Sequence, residues 1–189
     1  MKTSTKNILY ISLGVITLIA LSSFFISRKR KKTYNVLLLG GLDNRGGDLK
    51  IAEQEKLLKK GLGEKYKTES FRYNDSEGIL KKIEDSKKEM FVVLFSAGGS
   101  SADKIAKKLK DKKFNLNKLY IVEAWGKEGR TKNNILKAVD LGVPQKNIIV
   151  GKSLSTGKGI VSNPTPTPSC SPSHWCSLTE VGKIIKEKK

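Results

Sequence analysis

From Tyr34 onward, short apolar runs alternate with longer stretches in which apolar positions recur every three or four residues. The runs predict strands at Asn35 to Leu39, Ser70 to Tyr73, Phe91 to Phe95, Leu119 to Val122 and Asn147 to Val150. All but the second are nearly continuous in Val, Ile, Leu and Phe, as expected of strands covered on both faces; Ser70 to Tyr73 is more polar and belongs at an edge. Between them, the three-to-four spacing predicts helices over Asp48 to Lys60, Ser76 to Lys87, Ser101 to Lys110, Thr131 to Leu141 and Leu178 to Lys186. Gly61 stops the first, and Gly142 with Pro144 stops the fourth. Ser177 and Glu180 have the spacing of a capping box for the last helix, whose apolar face is Val181, Ile184 and Ile185. Strictly alternating strands and helices predict an α/β fold: three layers, a mostly parallel sheet with helices on both faces, spanning residues 34–189. Residues 152–173 break the rhythm with Pro164, Pro166, Pro168 and Pro172, and a loop of that length is expected to be functional or disordered.

The opening residues follow another pattern. After a short tail at 1–7, no charge occurs from Ile8 to Ser27, and about 20 apolar residues in a helix cross a hydrocarbon core. This predicts one transmembrane helix at 8–27. A cleavable signal peptide is the competing reading, but the run leads into Arg28, Lys29, Arg30, Lys31 and Lys32, in a linker over 28–33, where a cleavage site would have small residues. Only Lys2 and Lys6 precede the run. The positive-inside tendency therefore predicts a single-pass protein with its amino terminus outside and its carboxyl-terminal domain in the cytoplasm. The same basic cluster would contact anionic headgroups.

Lysine and arginine number 37 against 18 acidic residues, a net charge of +19. Such a surface favours anionic partners. The lysines nevertheless fall on polar helix faces (Lys56, Lys59, Lys60; Lys107, Lys108, Lys110) without interleaved arginine and aromatic residues, which argues for a solvated surface and against a nucleic-acid partner. Two cysteines are too few for a disulfide scaffold. Cys170, His174 and Cys176 match no zinc spacing, and residues 151–159 miss the P-loop spacing. No metal or cofactor is expected.

The candidate chemistry lies at strand ends. Phe91 to Phe95 runs into Ser96-Ala97-Gly98-Gly99, and a serine at a sharp strand-to-helix turn projects its hydroxyl above the sheet. Ser96 is thus a candidate nucleophile, or else the first residue of an ordinary glycine-rich turn. His174, the chain's single histidine, follows the last strand and is the candidate general base; the alternative is an unpartnered loop histidine. Glu123, directly after the fourth strand, is the candidate acid, ahead of Glu128 and Asp140; it could equally pair with a lysine. Gly40, Gly41, Leu42 and Asp43 form a loop able to aim backbone N–H groups at an oxyanion, together with Ala97 and Gly98. That loop could also be a plain turn or an anion cradle. Trp125 and Trp175, near Glu123 and His174, are candidate site walls.

In the order of these elements the domain resembles a small α/β-hydrolase of the lipase, esterase and cutinase-like kind. The resemblance covers Tyr34 to about Ile185. The family's G-x-S-x-G nucleophile falls on Ser96 with Gly98 as its last glycine, its acid on Glu123 and its histidine on His174; the small residue two before the serine is here Leu94. The resemblance implies a serine hydrolase that cleaves an ester through a Ser-His-acid triad, and the apolar run at 8–27 makes it a membrane-anchored one, its substrate a lipid or acyl ester. The alternatives are an inactive binding module of the same fold for an anionic ligand or partner and, on charge alone, a membrane-tethered nucleic-acid binder.

Overall fold

Alternate residues of each central strand pack to opposite faces, as the pleat requires. In the computed structural model, which describes residues 33–42, 50–124, 128–150, 165–166 and 175–188, Val36, Leu38, Val93, Phe95, Tyr120 and Val122 face one layer of the core. Leu37, Leu39, Val92, Leu94, Leu119 and Ile121 face the other. The strands are β1 (Tyr34–Leu39), β2 (Tyr66–Phe71), β3 (Phe91–Phe95), β4 (Leu119–Val122), β5 (Ile148–Val150) and the two-residue β6 (Thr165–Pro166). They form one sheet in the order β2-β1-β3-β4-β5-β6, and every pairing is parallel.

Helices α1 (Ile51–Leu62) and α5 (Cys176–Glu187) cover the first face through Leu58, Leu62, Leu178, Val181 and Ile185. Helices α2 (Ser76–Asp85), α3 (Ala102–Asp111) and α4 (Glu128–Asp140) cover the second through Ile79, Ile83, Ile105, Leu109 and Ile135. The protein is therefore an α/β fold with a parallel sheet between two helical layers, and Thr33–Lys189 forms one compact unit.

Several boundaries differ from the sequence reading. The edge strand is β2 at Tyr66–Phe71, earlier than expected: its exposed positions carry Lys67 and Glu69, so its alternation was hidden among charges. Ser96–Ser101 forms a 3-10 turn ahead of α3. Helix α5 starts at Cys176, with Trp175 at its N-cap, so Ser177 lies inside the helix and does not cap it. Among the described residues no helix is long and apolar enough to cross a membrane. The apolar run 8–27 and the basic residues 28–32 lie outside the described residues, as does 151–164.

Candidate functional site at the carboxyl ends of β1, β3 and β4

In a parallel sheet the strand order reverses once between β1 and β3, because β2 lies outside β1 while β4 and β5 continue beyond β3. The connections from β1 and from β3 leave toward opposite faces there, opening a crevice beyond the carboxyl ends of the two strands, where open α/β sheets bind their ligands. Gly40–Leu42 and Ser96–Gly99 meet at this point.

The first loop is held rigidly. Gly40 N–H donates to Phe71 O at 2.9 Å, extending the β1–β2 ladder by one bond. Gly41 N–H donates to Oε1 of Gln54 at 2.8 Å, and Gln54, on α1, is fully buried. Both N–H groups are therefore engaged, which corrects the expectation that Gly41 aims its N–H at an oxyanion. What Gly41 supplies instead is space. A Cβ there would stand 2.8 Å from Ser96 Cβ.

Ser96 occupies left-handed backbone, with φ 51°. A non-glycine residue pays about 1–2 kcal/mol for that conformation, and here it serves to turn the chain abruptly from β3 into the Ser96–Ser101 turn. Gly98 closes the turn against β1, since a Cβ at that position would meet the carbonyl oxygens of Leu39 and Gly40. The turn is tied further by Ser100 Oγ, which donates to Ala97 O at 2.8 Å, and by Asn134 Nδ2 of α4, which donates to Ser100 O at 2.6 Å. Ala97 stands in the first turn of this helical segment, where N–H groups have no intrahelical acceptor. It remains a candidate oxyanion donor, beside Leu42 at the cavity wall.

Glu123 is the neighbour of Ser96 across the sheet. The register pairs Phe95 with Val122, so the two residues leave adjacent strands at the same level, with strands spaced about 4.8 Å apart. Glu123 is also left-handed, with φ 48°, and only 3 % exposed. Its N–H donates to Ile149 O at 2.8 Å, and its Oε1 accepts from Ser177 Oγ of α5 at 2.9 Å. The hydroxyl expected to cap α5 thus holds the candidate acid. Of the other carboxylates weighed, Glu128 opens α4. Asp140 is the exposed last residue of this 13-residue helix, about 20 Å along it, and cannot serve beside Ser96.

Trp175 packs its ring on Phe95 at 5.5 Å between centroids, bringing the start of α5 to the residue before Ser96. Cys176 is disulfide-bonded. Cys170, His174, Asp43 and Trp125 lie outside the described residues. The structure therefore brings together Ser96, Glu123, Gly40, Gly41, Leu42, Ala97, Gly98 and the Trp175 side of the site.

A cavity of about 630 Å³ opens beside this cluster. It is lined by Leu42, Tyr73, Ala97, Ser100, Ser101, Asp103, Lys104, Arg130, Thr131 and Asn134. Sequence reasoning missed Gln54, Ser177, Asp103 and Thr131. A polar residue at a helix position that periodicity marks as inward is the signal that finds Gln54; the others lie in helix first turns, where polar residues are ordinarily caps. Comparison with protein-family models, with curated proteins and with solved structures returns no match to this chain.

Proposed function

We propose that this protein is a membrane-anchored serine hydrolase of the α/β-hydrolase type that cleaves an ester, with Ser96 as nucleophile. The observation that carries the reading is Ser96 itself: a buried, left-handed, non-glycine residue at the end of a central strand, seated at the point where the strand order reverses. Strained backbone of this kind persists where the surrounding structure over-determines it, and it concentrates at active sites. In the mechanism, Ser96 Oγ attacks the acyl carbonyl carbon while His174 takes its proton. The N–H of Ala97, joined by that of Leu42, holds the oxyanion. Collapse of the tetrahedral intermediate expels the alcohol, which receives the proton from His174, and water then releases the acyl group by the same route. Glu123, fixed by Ser177, orients the imidazole. Residues 8–27 form the anchor, and Arg28, Lys29, Arg30, Lys31 and Lys32 bind anionic headgroups.

The test is labelling of the full chain, in detergent micelles, with a serine-directed fluorophosphonate, beside Ser96→Ala and His174→Ala. Labelling of the wild type that disappears in both variants is the expected result. A folded wild type that does not label sinks the reading.

One observation favours a second reading, an inactive binding module of the same fold. Gln54 occupies the Gly41 N–H, leaving the oxyanion loop one donor short. On side of the membrane, the disulfide at Cys176 weighs against the cytoplasmic placement drawn from flanking charge, since such bonds persist in oxidising compartments.

A further inference from the structure

Gln54 puts an amide where the periodicity of α1 asks for an apolar side chain. It is fully buried, one turn before Leu58, on the face that covers the sheet. A buried amide is disfavoured unless its polar atoms are met, and here both ends of it reach the loop after β1. Oε1 accepts from Gly41 N–H at 2.8 Å, and Nε2 donates to Leu42 O in a longer contact of 3.5 Å. Gly40 makes the room, since a Cβ there would stand 2.6 Å from Gln54 Oε1.

The two contacts lie on either side of the Gly41–Leu42 peptide group. They hold both of its ends, and with them the place of Leu42 N–H. That N–H has no hydrogen-bond partner among the described residues, and Leu42 lines the cavity together with Ala97, the residue after Ser96. Gly41 stands against the nucleophile: a Cβ on it would lie 3.2 Å from Ser96 Oγ. We infer that Gln54 is a positioning residue, a buried clamp that holds Leu42 N–H as an oxyanion donor beside Ser96. This rests on the hydrolase reading and gives the engaged Gly41 N–H a purpose within it, because that bond is one arm of the clamp. Oxyanion donors stabilise the transition state and not the bound substrate. The clamp therefore acts on kcat and leaves KM alone.

The experiment measures kcat and KM for p-nitrophenyl butyrate, per folded chain, on the full chain in detergent micelles beside Gln54→Met and Gln54→Glu. Methionine fills similar space without either hydrogen bond. Gln54→Met is expected to lower kcat about 100-fold, as displacement of a catalytic group by an ångström does, at unchanged KM. Gln54→Glu adds a reading that a packing role would not move. Its protonated carboxyl both accepts and donates, as the amide does, whereas its carboxylate only accepts and sets a negative charge near the oxyanion. Its kcat relative to the parent chain, a ratio that cancels titrations common to both, is expected to fall as pH rises and to approach the parent value at the acid end. This profile decides the matter if Gln54→Met does not fold. A folded Gln54→Met with parental kcat, a rise in KM alone, or a ratio for Gln54→Glu that ignores pH overturns the inference. So does faster turnover in Gln54→Met, which would mean that Gln54 withholds the Gly41 N–H from the oxyanion. Any of these with an active parent defeats the clamp alone; a folded parent that neither turns over the ester nor labels with a fluorophosphonate defeats the hydrolase reading and the clamp with it.

Discussion

Two buried polar residues, Asn147 at the amino end of the sheet and Thr131 at its carboxyl end, are handled in opposite ways. At the amino end, Asn147 is fully buried just before β5, and every part of its amide is used. Nδ2 donates to Asn117 O and Leu119 O, both at 2.9 Å, and Oδ1 accepts from Lys188 Nζ at 3.1 Å. At the carboxyl end Thr131 is buried almost as deeply, yet its Oγ1 has no partner among the described residues. Left-handed backbone divides in the same way. Lys113 at the amino end has φ 57° where α3 terminates, and Phe114 N–H returns to Leu109 O at 2.8 Å to close the helix, an ordinary helix ending. Ser96 and Glu123 adopt the same conformation buried and side by side, where no helix ending calls for it. At these residues local rules are met at one end and broken at the other, although the buried Tyr120 hydroxyl, whose ring lies under Lys188, also lacks a hydrogen-bond partner among the described residues; a fold tolerates such breaks where they serve a site.

Removing a group from each end separates the two roles. Glu123→Ala is expected to lower the rate of ester cleavage on the order of 10²- to 10⁴-fold, as loss of a group supporting proton transfer does. It also strands the Ser177 hydroxyl, costing about 1–3 kcal/mol. Steady-state rates together with denaturant melts check both. A normal rate in the folded protein would remove Glu123 from the mechanism and leave it a structural tie between β4 and α5. Asn147→Leu reverses the pattern. It leaves the carbonyls of Asn117 and Leu119 without their donor, at about 1–3 kcal/mol for each left dry. Labelling of its folded fraction by a fluorophosphonate should match that of the parent chain. Loss of labelling at full stability would mean that the two ends are not independent.

The same division decides what could be read from the residues. The α/β class, the strands β1, β3, β4 and β5, and the edge position of the second strand followed from continuous apolar runs, because a strand buried on both faces must be apolar throughout. The positions of Ser96 and Glu123 at adjacent strand ends followed from their place after those runs. What escaped was pairing between elements distant in the chain. Ser177 reads as a cap from its spacing to Glu180, and only the crossing of α5 over β4 gives its hydroxyl to Glu123 instead. Gln54 likewise sits one turn before Leu58 on the buried side of α1. Its hydrogen bond to Gly41 depends on how α1 folds back over β1, which no local pattern encodes. His174 and the rest of 167–174 lie outside the described residues, so the base of the proposed triad rests on chain order.

The smallest expected effect is the sharpest test of whether the strain at Ser96 belongs to function. Left-handed backbone costs a non-glycine residue about 1–2 kcal/mol, and glycine returns part of it as conformational entropy of the unfolded chain, about 0.5–1 kcal/mol. Lys113→Gly should therefore stabilise the protein by about 0.5–1 kcal/mol in denaturant melts, with fluorophosphonate labelling unchanged. Ser96→Gly should stabilise it by a similar amount, because the serine φ of 51° suits glycine, while labelling disappears. Both substitutions share the gain of stability, and the loss of labelling in Ser96→Gly alone is what separates the strained functional residue from the structural one. If Ser96→Gly instead loses stability while Lys113→Gly gains it, the Ser96 side chain holds the turn together, and its backbone conformation no longer argues for a nucleophile.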